Sequence, residues 1–145
     1  MENDLNMKNI NVFRSANSKL SGEDIMMLSP LQLAYIGDAV YELLIRTYVL
    51  NKSLNVNELH KNTTKYVRAK AQADAIHGIE ELLTEEELGY VKKGRNTKTN
   101  SSPKNSELID YKYATGFECL LGYLYLTNQD ERIREVFNYI IGLEI

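Results

Sequence analysis

Cysteine is almost absent from this chain, and its only residue of this type, Cys119, lies within an apolar stretch. A single cysteine cannot form an intramolecular disulfide, so the sequence excludes a disulfide-stabilised scaffold. A zinc site in this chain would also lack a set of sulfur ligands. We expect Cys119 to be a buried structural thiol and not a nucleophile.

The sequence also lacks the segments that direct proteins to membranes. The first residues, MENDLNMKNINVF, are polar and contain no signal-peptide pattern. No apolar run is both long enough and free enough of charge to span a bilayer. These absences predict a soluble, cytoplasmic protein that has no membrane partner.

An overall excess of positive charge is missing as well, since the formal net charge is −3. The positive charge is nevertheless concentrated in two windows, 59–73 and 91–106, which hold four and five basic residues and no acid. Such asymmetry suits a polyanion that meets one face of the protein. The alternative is that both windows are simply solvated surfaces.

No alternating strand pattern is present, and helical spacing of apolar residues predicts an all-α helical bundle. A chain of 145 residues is expected to form one domain. We assign 1–22 to a loose N-terminal leader and 23–145 to the folded domain. The predicted helices cover 30–50, 56–61, 63–79, 84–94, 108–126 and 130–141.

Two helix-length apolar runs each contain one isolated acid. Asp38 is the only charged residue between Pro30 and Tyr41, and Glu118 is the only one between Tyr113 and Thr127. Burying an unpaired, ionised carboxylate destabilises a fold by roughly several kcal/mol. If these acids are buried, a cation, a basic side chain or water must therefore offset their charge. A shared Mg²⁺ ion is one solution, because it accepts one or two carboxylates together with substrate phosphate. Buried salt bridges with lysine or arginine are the alternative.

Glycines flank both acids. Gly37 precedes Asp38, and Gly116 and Gly122 lie on either side of Glu118. Glycine within a helix costs about 1 kcal/mol relative to alanine. Their presence predicts either a close approach of the two helices or room for a ligand.

A third feature is the stretch from Arg95 to Ser106, which contains no hydrophobic residue and predicts an exposed loop. Together with the two preceding lysines it forms what we call the basic segment, residues 92–105. We expect it to contact a polyanion. The candidate contact residues are Lys92, Lys93, Arg95, Asn96, Lys98, Lys104 and Asn105.

The two acid-centred runs resemble known motifs. The first, YIGDAVYE at 35–42, resembles the signature helix of the ribonuclease III family, and FECLLGYLYL at 117–126 resembles that family's second motif. The resemblance covers about residues 25–143. We expect no double-stranded-RNA-binding domain, and the basic segment is similar to that of the Mini-ribonuclease III (Mini-III) subfamily.

The resemblance implies a homodimeric, Mg²⁺-dependent endonuclease that cuts double-stranded RNA. For the Mini-III subfamily it implies maturation of precursor ribosomal RNA of the large subunit. Asp38 matches the family's catalytic aspartate, and Glu118 matches its metal-binding glutamate. Both are therefore candidate catalytic and metal-binding residues.

Departures from the family pattern leave other functions open. The family has an acid four residues before the aspartate, where this chain has Ala34, and another three residues before the glutamate, where it has Thr115. Mini-III proteins share this reduction. Glu42 is a rival acid on the same helix face, which we interpret as a partner of Arg46. A non-catalytic RNA-binding module of ribosome assembly and a helical protein–protein adaptor remain alternatives.

Overall fold

Seven α-helices make up most of the described chain, and the absence of strands there confirms the all-α class. The computed structural model describes residues 12–98 and 107–143. The helices are α1 (Gly22–Met26), α2 (Pro30–Val49), α3 (Val56–Val67), α4 (Ala69–Ile79), α5 (Glu85–Arg95), α6 (Glu107–Leu126) and α7 (Asp130–Ile141). Short 3₁₀ helices occupy Arg14–Asn17 and Glu80–Leu82.

The starts of three helices follow directly from local sequence. Ser29, Asn55 and Thr84 are the N-caps of α2, α3 and α5, and each forms a reciprocal capping box. The backbone N–H groups three residues later donate to these side chains at 3.1, 2.8 and 3.1 Å. These contacts satisfy N–H groups that have no partner within the helix.

One predicted boundary is wrong. The sequence predicts separate helices over 56–61 and 63–79, whereas α3 continues to Val67 and the break lies at Arg68, whose backbone is extended (φ −64°, ψ 153°). The side chain of Thr63 is buried in the structure, so tertiary packing maintains the helix there.

Helix α6 occupies the centre of the bundle and packs against α2, α4 and α5. The fully buried side chains are mostly large and aliphatic or aromatic, and each contributes about 1.5–3 kcal/mol by leaving water. They include Ile45, Ile76, Phe117, Leu120, Leu124, Val136 and Ile140. Cys119 is also buried and has a free thiol, as predicted.

Glycines bring α2 and α6 into backbone contact. A Cβ atom on Gly37 would overlap the carbonyl oxygen of Glu118, and one on Gly122 would overlap that of Leu33. Gly116 lies in the same way against the Val91 carbonyl of α5. The predicted close approach of helices is therefore present on both sides of α6, and it fixes the backbone on which Glu118 sits.

The part of the predicted leader that the structure describes, 12–22, contacts the folded domain. The Arg14 guanidinium donates to both carboxylate oxygens of Asp130 at 2.8 and 2.7 Å and to the Tyr125 carbonyl at 3.1 Å. Residues 1–11 lie outside the described chain. Within residues 12–98 and 107–143, no helix is long and apolar enough to cross a bilayer.

Candidate active site

The crossing of α2 and α6 brings the two isolated acids together. Gly37 packs on the backbone of Glu118, and Asp38 follows it directly on α2. The Asp38 carboxylate is close enough to act on Glu118 both through its charge and through a side-chain hydrogen bond. Asp38 is exposed and Glu118 is half-buried. The pair thus has one side toward solvent and the other toward the core.

The environment of Glu118 disfavours its charged form. Burial has the largest effect, and the neighbouring Asp38 adds to it; together they raise the pKa of Glu118 to about 8. A hydrogen bond from Gln72 acts in the opposite direction and lowers that pKa. Two carboxylates that repel each other in this way form a site that favours a cation.

Salt bridges do not provide this compensation in the described part of the chain. The ion pairs found in residues 12–98 and 107–143 include neither Asp38 nor Glu118. The rival acid Glu42 is instead paired with Arg46 at 3.2 Å, as predicted. The salt-bridge alternative therefore applies to Glu42 and not to the pair.

At the positions of the family's other two acids, this chain has residues that pack in the core. Ala34 and Thr115 are both buried, and the Thr115 hydroxyl donates to the Tyr111 carbonyl at 3.0 Å. Among the described residues, no group of three or more His, Cys, Asp or Glu side chains is arranged to bind a metal. Two carboxylates still fit Mg²⁺, which commonly keeps several waters and takes one or two protein carboxylates.

Gln72 is a residue of this site that the sequence reasoning missed. It lies on α4 with only 3% of its surface exposed, and its Nε2 donates to the Val67 carbonyl at 2.6 Å. Its Oε1 is buried and has no protein partner. A signal was present in the sequence, because Gln72 lies four residues before the buried Ile76 and thus on the apolar face.

The basic segment is only partly a loop, which corrects the prediction. Lys92, Lys93 and Arg95 lie on the last turn of α5, and the chain leaves the helix at Asn96. The exposed Lys98 follows. Lys104 and Asn105 lie outside the described residues.

Aromatic rings position two of these cations. The Lys93 ammonium lies 4.8 Å from the centre of the Tyr90 ring, and the Arg95 guanidinium lies 5.6 Å from that of Tyr113. The Arg95 Nε also donates to the Asn96 side chain at 3.1 Å. Because α5 crosses α6 near Gly116, this basic helix end is anchored to the helix that carries Glu118.

Comparison with known proteins agrees with this arrangement. A family model described as "Ribonuclease III domain" matches residues 31–129, which include both acids. This chain belongs to the ribonuclease III family. Two similar members of the family are named Mini-ribonuclease 3. The protein from Clostridium tetani is 52% identical over 83% of this chain and 82% of its own length. The protein from Thermoanaerobacter sp. is 54% identical over 81% and 83%.

A solved structure has a similar fold. The crystal structure of a Fusobacterium nucleatum protein matches with a TM-score of 0.73 and 36% identity, covering 81% of this chain and 95% of that one. The predicted resemblance to the Mini-III subfamily is confirmed. The family match and the names of these relatives support an endoribonuclease.

Proposed function

We propose that this ribonuclease III family member is a Mg²⁺-dependent endonuclease of double-stranded RNA that matures large-subunit ribosomal RNA. Asp38 and Glu118 are its proposed catalytic and metal-binding residues. The observation that carries this proposal is a pair of adjacent carboxylates without a basic partner in the described chain. A ribosomal RNA substrate also implies action in the cytoplasm.

The chemistry of such a site follows from its charge. Asp38 and Glu118 would hold the Mg²⁺ ion, whose chemistry there would be to polarise a phosphoryl group and to lower the pKa of a water molecule. With a cation bound, Asp38 and Glu118 would supply two negative charges at one position, because the cation offsets the repulsion that raises the pKa of Glu118. Asp38 is exposed and therefore accessible to a duplex, while the half-buried Glu118 is fixed by the α2–α6 crossing. No general base from the protein is required.

The basic segment is the proposed RNA contact. A-form RNA is recognised mainly by shape, through phosphates and 2′-hydroxyls, so spread cationic contacts suffice. Lys92 and Lys93 are exposed, and Arg95 is held by its ring contact on α6. Asn96, Lys98, Lys104 and Asn105 complete the proposed set.

Replacement of Lys92, Lys93 and Arg95 by alanine is expected to weaken binding of duplex RNA. The slope of the logarithm of the binding constant against the logarithm of salt concentration should become shallower by roughly 2–3. Each lost phosphate contact contributes about 0.9 to that slope in B-DNA. The variant also loses the contacts of Lys93 and Arg95 with tyrosine rings, each of which contributes about 0.5–1 kcal/mol. The melting temperature should therefore change by only a few degrees, about 2–6 °C. Filter binding at several salt concentrations measures the slope.

The matched control removes three positive charges elsewhere, at Lys19, Lys52 and Arg134, which are all exposed. This control is expected to keep more of the affinity and of the salt slope. Equal losses in the two triple variants would show that net charge, and not the basic segment, governs RNA binding.

A homodimer is the second part of the proposal, and an exposed apolar stripe on α2 supports it. Leu31, Tyr35 and Leu43 recur at multiples of four residues, with 42%, 79% and 57% of their surfaces exposed. Large apolar side chains that share one helix face are typical of an interface. A second copy that covers this stripe would place two active sites and two basic segments on one duplex.

Tyr35→Glu combined with Leu43→Glu is therefore expected to convert the dimer to a monomer, because it buries charge at the interface. Light scattering after size-exclusion chromatography measures the mass. Val56→Glu, at an exposed apolar residue at the start of α3, is the control and should remain dimeric. A double variant that stays dimeric contradicts an interface on this stripe.

One assay separates the proposed nuclease from its alternative. Duplex RNA is incubated with the protein in Mg²⁺ or in chelator and analysed on denaturing and native gels. Cleavage in Mg²⁺ alone is the expected result. Retarded but intact RNA would instead support the non-catalytic module of ribosome assembly. Mapping ribosomal RNA ends in cells without the protein then tests the substrate.

A further inference from the structure

The Gln72 amide has a fixed orientation, which the structure itself defines. Only the NH₂ group of a glutamine can donate to a carbonyl, and Nε2 lies 2.6 Å from the Val67 oxygen. The carbonyl oxygen, Oε1, is therefore assigned to the other side of the planar amide. It has no partner although it is buried. A buried acceptor without a partner is unfavourable and rare, so it requires an explanation.

The amide lies beside the two acids of the candidate active site. Gln72 lies within hydrogen-bonding range of the Glu118 carboxylate, which in turn interacts with Asp38. Three helices thus contribute one oxygen-bearing side chain each to a single place: Asp38 from α2, Gln72 from α4 and Glu118 from α6. Amide oxygens, like carboxylates, are among the hard oxygen groups that suit Mg²⁺ and Mn²⁺.

The backbone around Gln72 is built to hold it there. The backbone is extended at Arg68, which ends α3. The carbonyl of Val67, the last residue of that helix, therefore accepts no hydrogen bond from a following turn of α3. The Gln72 side chain donates a hydrogen bond to that carbonyl, and its neighbours bury 97% of the residue. A residue fixed at one end and buried along its length presents its remaining polar atoms in one place.

We propose that Gln72 is a positioning residue of the cation site, whose amide holds Glu118 toward Asp38 and whose oxygen is a neutral third acceptor beside the two carboxylates. It partly replaces the acids absent at Ala34 and Thr115. This inference rests on the proposed function of Asp38 and Glu118 as cation ligands. Groups that orient metal ligands affect metal affinity by about 10–100-fold.

The test measures binding of Mn²⁺ alone to the metal-free full-length protein, by the electron paramagnetic resonance signal of free Mn²⁺. Gln72→Met keeps the length of the side chain and removes its hydrogen bonds. It is expected to bind Mn²⁺ about 10–100-fold more weakly than the wild type. Gln72→Glu restores an oxygen acceptor at this position and is expected to bind at least as tightly as the wild type.

Gln129→Met is the matched control, because Gln129 donates to the Thr127 hydroxyl in the α6–α7 turn and leaves the pair intact. A purely structural role for Gln72 predicts a lower melting temperature of Gln72→Met with unchanged Mn²⁺ affinity, and that result overturns the proposal. If Gln72→Met does not fold, Gln72→Glu decides: an affinity tenfold below that of the wild type also overturns it. Absence of Mn²⁺ binding by the wild type contradicts the proposed function itself, so the two failures are distinct.

Discussion

Asp38→Asn is expected to abolish cleavage of duplex RNA while the protein stays folded and dimeric. The amide keeps the shape of the side chain but removes the negative charge that a divalent cation requires. Loss of several kcal/mol of transition-state stabilisation corresponds to a rate decrease of about 10³-fold or more. Single-turnover cleavage of a labelled duplex in Mg²⁺ measures this decrease.

The fold of this variant should not suffer, for a reason that the structure gives. Asp38 is exposed, and its charge opposes ionisation of Glu118. Its neutralisation removes that repulsion, so the metal-free melting temperature should be unchanged or higher.

Glu42→Gln is the matched control, since Glu42 lies one turn further along α2 and is paired with Arg46. It should lose little activity, because an exposed i,i+4 ion pair contributes only about 0.3–0.5 kcal/mol. Cleavage that survives Asp38→Asn but is lost in Glu42→Gln would reverse the assignment of the two acids.

A large loss of stability is expected from Gly122→Ala. The added methyl group would overlap the Leu33 carbonyl of α2, and neither backbone can move without separating α2 from α6. Overpacking against side chains costs about 1–3 kcal/mol, and a clash with backbone should reach at least the upper end. The melting temperature should fall by about 6–12 °C, measured by circular dichroism.

Gly89→Ala is the matched control and is expected to raise the stability of the protein. Gly89 lies inside α5, and no atom is close to the position of its added Cβ. Alanine there should stabilise the fold by about 0.5–1 kcal/mol, because glycine is the poorer helix former. Equal effects of the two substitutions would mean that Gly122 is not held at a backbone contact.

Local signals predicted much of this molecule. The capping residues Ser29, Asn55 and Thr84 gave the starts of three helices, since a cap needs only its own next three residues. Asp38 and Glu118 were recognisable because each is the only charge in an apolar helix. Their separation in the sequence carries no information on contact, so the family resemblance was needed to bring them together.

The features that the sequence did not predict depend on contacts between residues that are distant in the chain. Thr63 is helical because the fold buries it, and the break at Arg68 is stabilised by the Gln72 side chain. Neither contact can be read from propensity. Gln72 was overlooked although its spacing from Ile76 placed it on an apolar face, because its contact with Glu118 joins residues that are far apart in the sequence.

The most direct test of the account is a crystal structure of the protein grown with Mn²⁺, with anomalous scattering used to locate the ion. We expect one peak within about 2.0–2.3 Å of an oxygen of Asp38 and an oxygen of Glu118. A site without a peak, in which lysine or arginine nitrogens contact both carboxylates, would contradict the account.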